Sequence, residues 1–599
     1  MTVTPTYPGV YIEELPSSVH TITAVSTSIT AFVGYTPRGP SGTPVTLTSF
    51  ADFERSFSGL SSDSVLSYTV QHFFLNGGST AIVVRLASGA KQSTGAIPPG
   101  ASPVLTVTAK NPDTWSDSLR VAIDDNTPTA GNFNLQVFGL GGTVSESYQN
   151  LSMTKTDPQF VETIVNAASA LISVKAQGST APDPSGTVSG AFADPLPDLA
   201  KQVTVTIGST TSSAFTVYDS STDGAVPTTM GQLAVLLERK IRQQGTAFSN
   251  VRVTAVGRTL QVAAGPDDTV QFGGTGATDL RLQATAHPGA YPLSGGNSGT
   301  PPTGEDFIGS ADAKTGLNAL RDVTDVNLLC LPDIADPSYN DTRVEVLAAA
   351  DALCLDKRMF LLVDSPAAWT TLDKARANLS NLDSVRSDHS ALYFPQIKMT
   401  DPLTGVLRSF PPCGAVAGIM ATTDGTRGVW KAPAGTAAGL SGVQALTVSL
   451  TDQENGLLNP LGVNCLRSFP IIGPVVWGSR TLQGADVLTS QWKYVPVRRT
   501  ALMIEESLYR GTKWVVFEPN DERLWGQIRL NVGAFMQTLF RQGAFQGTSA
   551  RDAYFVKCDS TTTTQDDINR GVVNIIVGFA PLKPAEFVII QIEQMAGQL

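Results

Sequence analysis

The apolar positions of this chain change period several times, and each change predicts a different element. Residues 27–35 (TSITAFVGY) and 81–86 (AIVVRL) are short apolar runs that predict strands, with a helix between them over residues 65–75. The same alternation returns after residue 304, as a helix, the run VNLLCLPDI, a helix over 344–355 and the run RMFLLVDSP. Continuous apolar strands that follow helices predict a sheet covered on both faces, because a sheet with one wet face would alternate apolar and polar positions instead.

Between these two stretches the pattern becomes β-rich. Residues 104–174 carry strands such as VLTVTA and FNLQVF with a helix over 160–172. Residues 203–286 carry VTVTIG and AFTVY, a helix over 230–242, then VRVTAVGRTLQVAA. The similar order leaves a degenerate duplication open, although no side-chain motif recurs. Gly, Pro and Ser content predicts linkers at 91–103 and 293–304, and an exposed segment, AQGSTAPDPSGTVSGAFADPLPD, between the two modules. The expected organisation is therefore an α/β core over 25–90 with 305–480, interrupted by an inserted region, 91–304, whose β-rich outer modules cover about 104–175 and 201–290.

Composition narrows the class of function. The chain has 599 residues, enough for about three to five domains, and is only 16% charged with 54 Gly and 37 Pro. A formal net charge of -11 argues against general nucleic-acid binding, which needs a basic surface to displace counterions. The five cysteines, Cys330, Cys354, Cys413, Cys465 and Cys558, are far apart with no C-x-x-C pair, so buried reduced thiols are expected. The N-terminal residues lack a basic and an apolar signal region, and no apolar run is long enough for a membrane helix, so assembly in a cytoplasm without membrane insertion is expected.

A search for catalytic chemistry returns little. His20, His72, His287 and His389 are dispersed, with no H-E-x-x-H helix. GLGGT at residue 139 lacks the lysine and the spacing of a phosphate cradle, and no G-x-S-x-G elbow occurs. Asp388 and His389 could enter a triad, but an ordinary surface or core histidine is the better reading. No enzyme, cofactor or metal is expected, although residues distant in the chain could still converge on a split site in the α/β core.

The termini stand out more. YPGVYIEEL near the start and AEFVIIQIEQMAGQL at the end are β-prone, and the second places Val588, Ile590 and Ile592 on one face by the two-residue period. A terminal strand is either the edge of its own sheet or a donor to another chain's sheet, and both fates are open here. Residues 521–541 predict a helix after EPND, with Leu524, Trp525, Ile528, Val532, Phe535, Met536, Leu539 and Phe540 in one apolar stripe. The opposite face carries Arg523, Gln527, Asn531, Ala534, Gln537, Thr538 and Arg541. Residues 491–551 hold nine lysines and arginines against five acids, an excess of four positive charges on an acidic chain, which suggests an acidic partner.

Several long phrases add a resemblance to this reading. They are CGAVAGIMATTDGTRGVWKAPAG at 413–435, NPLGVNCLRSFPIIGPVVWGSRTL at 459–482, WKYVPVRR at 492–499, VVFEPNDERLW at 515–525 and VGFAPLKPAEFVII at 577–590. In this order they resemble the C-terminal half of contractile tail sheath proteins, and PGVYIEE with SITAFVGYTPRGP is similar to that family's N-terminus. The middle region matches no phrase of the family.

The resemblance implies a multidomain α+β and α/β chain whose parts are an N-terminal linking arm (1–24), the core, the outer modules, a C-terminal tube-docking domain (481–584) and a C-terminal linking arm (585–599). It implies a structural subunit that polymerises with itself, six per ring, around an inner tail tube protein, between baseplate and terminal cap proteins. It also implies that Val10, Tyr11, Ile12, Glu13, Glu14 and Leu15, with Phe587, Val588, Ile589, Ile590, Gln591, Ile592, Glu593 and Gln594, donate strands to neighbouring subunits. The polar face of the 521–541 helix is then the expected tube contact. The particle would be a phage tail or a phage-derived injection system built in a bacterial cytoplasm. Another tail or baseplate subunit is the alternative within the structural class.

Overall fold

The computed structural model describes residues 20–100, 102–139, 143–265, 267–282 and 287–591. They fall into two compact units. The first comprises the described residues up to Thr36, then Gly42–Leu86, then those from Pro301 onward; the second comprises Pro37–Ser41 with Ala87–Thr300.

The first unit is built on an eight-stranded sheet. Its strands in chain order are β1 (Thr30–Gly34), β2 (Val45–Leu47), β3 (Ala81–Arg85), β4 (Leu328–Cys330), β5 (Phe360–Asp364), β6 (Ser390–Phe394), β7 (Val463–Phe469) and β8 (Gly473–Val476). The spatial order is β2-β3-β1-β4-β5-β6-β7-β8. The six inner strands are parallel, and β2 and β8 close the two edges antiparallel. Every residue of β1, β3, β5 and β6 is buried, which explains why these strands read as continuous apolar runs.

Each face of the sheet has its own core. On one face Val33, Val84, Leu329, Leu361, Val363 and Leu392 pack with Val346, Leu347, Ala350 and Leu353 of helix α2 (Arg343–Lys357). On the other, Phe32, Val83, Cys330, Phe360, Leu362 and Tyr393 pack under helices α1 (Val65–Leu75) and α3 (Cys413–Arg427). Ser64 caps α1 by accepting from the Ser67 amide at 3.1 Å. Helices α1 and α3 touch backbone to backbone, and a Cβ on Gly414 would lie 2.1 Å from the Thr69 carbonyl oxygen. All five cysteines are buried free thiols.

Two aspartates sit where parallel strands end and helices begin. Asp333, just after β4, accepts from the Tyr35 amide at 2.6 Å, and Asp364, the last residue of β5, accepts from the Cys413 amide at 2.8 Å where α3 starts. Burial pushes both carboxyls up to about 7, against the pull of the backbone amides that they accept from. His389 is a core histidine: its Nδ1 lies 2.8 Å from Asp388 and its Nε2 lies 2.8 Å from the Arg498 guanidinium.

The second unit holds two β-rich modules with separate cores. In the first, Leu105–Ala109 pairs with Ile172–Ala176, and the meander Arg120–Asp124, Phe133–Phe138 and Val144–Leu151 forms a second sheet. In the other, Gln202–Ile207 pairs with Val270–Gly273, and Arg252–Val256 with Thr259–Ala263 forms a hairpin behind the helix Met230–Arg242. The connection orders differ: in the first module the helix leads directly into the strand that closes the sheet, and in the second a hairpin intervenes.

Three local expectations need correcting. The 91–103 and 293–304 stretches are not free linkers, because they run antiparallel through Ser88 with Thr300, Lys91 with Asn297 and Thr94 with Ser294. Thr94–Ile97 is moreover a strand on Leu105–Ala109. The segment between the modules is partly interior: Ser185 and Thr187 are buried, the Ser185 hydroxyl accepting from the Ile123 amide at 2.8 Å. Backbone pairing satisfies these Gly- and Ser-rich residues where composition alone suggested solvent. The first module's helix is also shorter than expected, Val161–Ala168, and gives way to a strand at Ile172.

Candidate assembly surface

The C-terminal part of the first unit is built from helices α4 (Val495–Gly511) and α5 (Glu522–Arg541) and the antiparallel pair β9 (Tyr554–Lys557) and β10 (Ile576–Phe579). Helix α5 starts because Asp521 accepts from the Leu524 amide at 2.9 Å, a standard N-cap, with Glu522 favourably placed in the first turn. Leu524, Trp525, Ile528, Val532, Phe535, Met536 and Leu539 are buried in one cluster with Ala544, Phe545 and Cys558.

The outer face of α5 differs from the expected polar set. Arg523, Ala534, Thr538 and Arg541 are exposed, whereas Gln527 and Gln537 are half-buried and Gln537 accepts from the Tyr554 hydroxyl at 2.8 Å. Asn531 is buried, 3% exposed, with neither amide atom bonded among the described residues, so it does not belong to a free face. The helical period explains this: at 100° per residue Asn531 lies about 80° from the line through Arg523 and Arg541, against Leu524 and Phe535. Leu530 takes the opposite fate. It is 62% exposed and falls within about 20° of that line, an apolar side chain between two arginines.

The local positive excess is largely spent inside the fold. Arg499 is buried against Asp424 at 2.6 Å, Arg498 lies 3.4 Å from Asp388, and Arg510 binds Glu506 at 2.6 Å and also Asp325. Arg529 binds Glu522 at 2.7 Å. Arg523 and Arg541 are in no ion pair among the described residues.

The first and the last described segments both contact this part of the fold. His20 stacks on Trp514 with ring centroids 4.2 Å apart, and the Val25 amide donates to Ser507 at 3.0 Å, so the segment from His20 lies along the C-terminal part of α4. Val10, Tyr11, Ile12, Glu13, Glu14 and Leu15 lie outside the described residues, as do Ile592, Glu593 and Gln594. At the other end Glu586 is held by a clamp. Its carboxylate accepts from Arg480 Nε at 2.7 Å and Nη2 at 2.8 Å, from Asn459 at 2.7 Å and from the Tyr494 hydroxyl at 3.0 Å. Burial opposes its charge, but these donors, Arg480 foremost, hold the carboxyl below its ordinary range. Immediately beyond, Phe587, Val588, Ile589 and Ile590 are 72–85% exposed, and they and Gln591 belong to no strand among the described residues.

The sequence pattern did not isolate this clamp. Arg480 and Glu586 lie in GSRTL and KPAEF, and an arginine just after the apolar run at 474–477 was the available signal. Among the described residues no group of three or more His, Cys, Asp or Glu could hold a metal ion, and no helix is long and apolar enough to cross a membrane.

Residues 306–482 match the phage tail sheath protein central domain, and residues 488–595 match the phage tail sheath C-terminal domain. Together these two stretches, just under half of the chain, carry the domains of the phage tail sheath family. The tail sheath protein of Burkholderia phage BcepMu is 28% identical over 259 residues, 41% of this chain and 54% of that one, so the chain spans about half the length of this relative. The crystal structure of a sheath tail protein from Listeria innocua matches with a TM-score of 0.52 at 12% identity, covering 94% of this chain and 96% of that one. The contracted sheath complex of an extracellular contractile injection system, PVC, matches at 0.51 and 18% identity, covering 99% of each. At these identities the two structures speak for a shared fold alone. The family match falls on the sheet from β4 onward and on the whole C-terminal part, which includes Arg480, helix α5 and Glu586, whereas the two inserted modules lie outside both matched stretches.

Proposed function

We propose that this chain is the structural, non-enzymatic subunit of a contractile tail sheath. It polymerises as stacked rings of six around an inner tail tube, between baseplate and terminal cap proteins, and contracts to drive the tube through a target envelope. The particle is a phage tail or a phage-derived injection system assembled in a bacterial cytoplasm. The observation that carries the reading is the apolar arm Phe587–Ile590, exposed beyond a buried clamp at Glu586. A monomer gains nothing by anchoring four large apolar residues firmly and leaving them wet; a polymer gains a connector.

Strand addition gives that connector its energy. The β9–β10 pair is a two-stranded sheet with Phe555 and Ile576 exposed, and the arm of another copy extends it. Each added backbone hydrogen bond contributes a net ~1 kcal/mol and each buried arm side chain roughly 2 kcal/mol, enough to decide between monomer and polymer. Work comes from the free-energy difference between two packings of the same polymer. The Arg523, Leu530, Ala534, Thr538 and Arg541 line on α5 faces the tube. Residues 88–300 are dispensable for polymerisation; their two ends are bridged at Ser88 and Thr300, about 5 Å apart, so deletion closes with little strain.

Electron microscopy of the purified protein tests the reading. The full chain should form uniform hollow cylinders, and a chain ending at Glu586 should remain a folded monomer. Normal cylinders from the shortened chain would show that the arm is not the connector.

A further inference from the structure

The hairpin joining β7 to β8 ends in a conformation that costs energy and exposes hydrocarbon at once. Phe469 pairs with Gly473, which leaves Pro470, Ile471 and Ile472 as the loop, and the Ile472 amide donates to the Pro470 carbonyl at 2.8 Å. Ile471, at the centre of this three-residue turn, has a φ of 70°, a left-handed value that a β-branched side chain strongly disfavours. Ile471 is fully exposed, and Ile472 beside it is exposed as well. Glycine or asparagine would relieve the turn, and a polar residue would suit the solvent; the chain has neither.

The base of the hairpin is stiff. Phe469 packs on Trp477 with centroids 4.6 Å apart, and the Arg467 guanidinium lies over Phe469. The outer edge of β8 is already occupied, since the Gly435 amide donates to Val476 and the Leu440 amide to Pro474, both at 2.9 Å. The tip therefore offers side chains to a partner, not a strand edge.

An open depression lies at the opposite edge of the same sheet. Beside β2, Gly42, Thr43, Pro44, Ala319 and Val323 line an open pocket of about 380 Å³. Its small and apolar lining residues leave room for short branched hydrocarbon. Lys314 and Asp322 at this pocket neutralise each other at 2.6 Å, and residues 468–479, which form the hairpin tip and its flanks, carry no charge, so neither side meets an uncompensated ion.

We infer that Ile471 and Ile472 dock into the pocket beside β2 of a second copy of this chain. The inference rests on the sheath reading and adds a side-to-side contact that the terminal arms do not supply. Knob and socket are different surfaces at opposite edges of an eight-stranded sheet, about 34 Å apart, so the contact is head-to-tail and repeats from copy to copy as a ring requires.

Two cysteine substitutions in the full chain, Ile472→Cys and Thr43→Cys, test it with a short bismaleimide, the five native thiols being buried. The double variant in assembled particles should give a ladder of crosslinked oligomers, and each single variant should give none. A companion variant, Ile471→Gly with Ile472→Ser, should melt no lower than the parent as a monomer yet assemble at least tenfold less. Crosslinked dimers from Ile472→Cys alone would mean tip-to-tip pairing and overturn the inference, as would cylinders from the double variant without a ladder; in both cases the sheath reading stands. Chains that form no cylinders under any condition overturn the sheath reading and this contact with it.

Discussion

The carboxylate of Glu586 reaches back 106 residues to grip Arg480 with both oxygens, at 2.7 and 2.8 Å. Arg480 is 1% exposed, among the largest fully buried side chains in the chain, and its remaining nitrogen binds Asp486 at 3.0 Å. A bidentate pair of this kind is geometrically specific, and removing one partner strands a buried charge. The pair therefore sets the point and direction at which the arm leaves the fold.

Glu586→Gln should lower stability by about 3 kcal/mol, because Arg480 loses its main counter-charge in the interior. The arm should then become a protease target around residues 582–591, and cylinder formation should fall, while the far-ultraviolet circular dichroism stays unchanged. The carboxyl is held below its ordinary value, so the clamp's contribution is present above that value and is lost only as pH falls through the depressed one. Arm release should thus need acid; release between pH 6 and 8 would show that Glu586 is not the anchor.

Positions 530 and 531 on α5 are inverted relative to solvent, and the two substitutions should separate folding from assembly. Asn531→Leu replaces a buried, unbonded amide with hydrocarbon and should stabilise the monomer by about 1–3 kcal/mol, read as an upward shift of the denaturant midpoint. Leu530→Asn should leave the monomer midpoint within about 0.5 kcal/mol, because the residue is exposed, and should weaken assembly on the tube. A destabilised Asn531→Leu monomer would mean that the amide has a structural partner.

Much of the core was legible in the sequence because its signals are local. The helices Val65–Leu75 and Met230–Arg242 start and stop where the pattern places them, and the buried strands read as apolar runs because both faces are covered. What escaped is what depends on partners far along the chain. Residues 88–94 look like a linker until residues 294–300 lie beside them, and Arg498 and Arg499 look like surface charges until Asp388 and Asp424 meet them. Asn531 was misplaced for a different reason: residue type outweighed an angle of about 80°, where the helix border is ambiguous.

The buried aspartates predict an unusual pH dependence. Asp333 and Asp364 have folded values raised to about 7 against an ordinary 3.8, so between these values the native state holds protons that the unfolded state has released. Stability from these two groups is therefore fullest below about pH 4 and falls as pH rises to about 7. Asp364→Asn keeps the acceptor for the Cys413 amide and removes the titration. It should raise the melting temperature at pH 8 by a few degrees and flatten the pH profile; an unchanged slope between pH 4 and 7 would place the titration elsewhere.

Arg523 and Arg541 are about 27 Å apart along α5, on one line with Leu530 and Ala534 between them, and neither is in an ion pair among the described residues. The apolar side of the same helix is committed to the interior, so this line is the part of α5 left for a partner. On the proposed function the sheath holds its tube in register and releases it on contraction, and exposed ionic contacts suit that demand. Each contributes only ~0.2–1 kcal/mol, yet many act in parallel around each ring. Arg523→Glu with Arg541→Glu should leave folding unchanged and empty cylinders intact, while the yield of tube-filled particles falls by at least tenfold at low salt. Because such contacts are screened over about 8 Å at 0.15 M, the parent's tube-filled yield should itself decline with added salt. Parent-level filling by the double variant, at any ionic strength, would assign the tube contact to another surface.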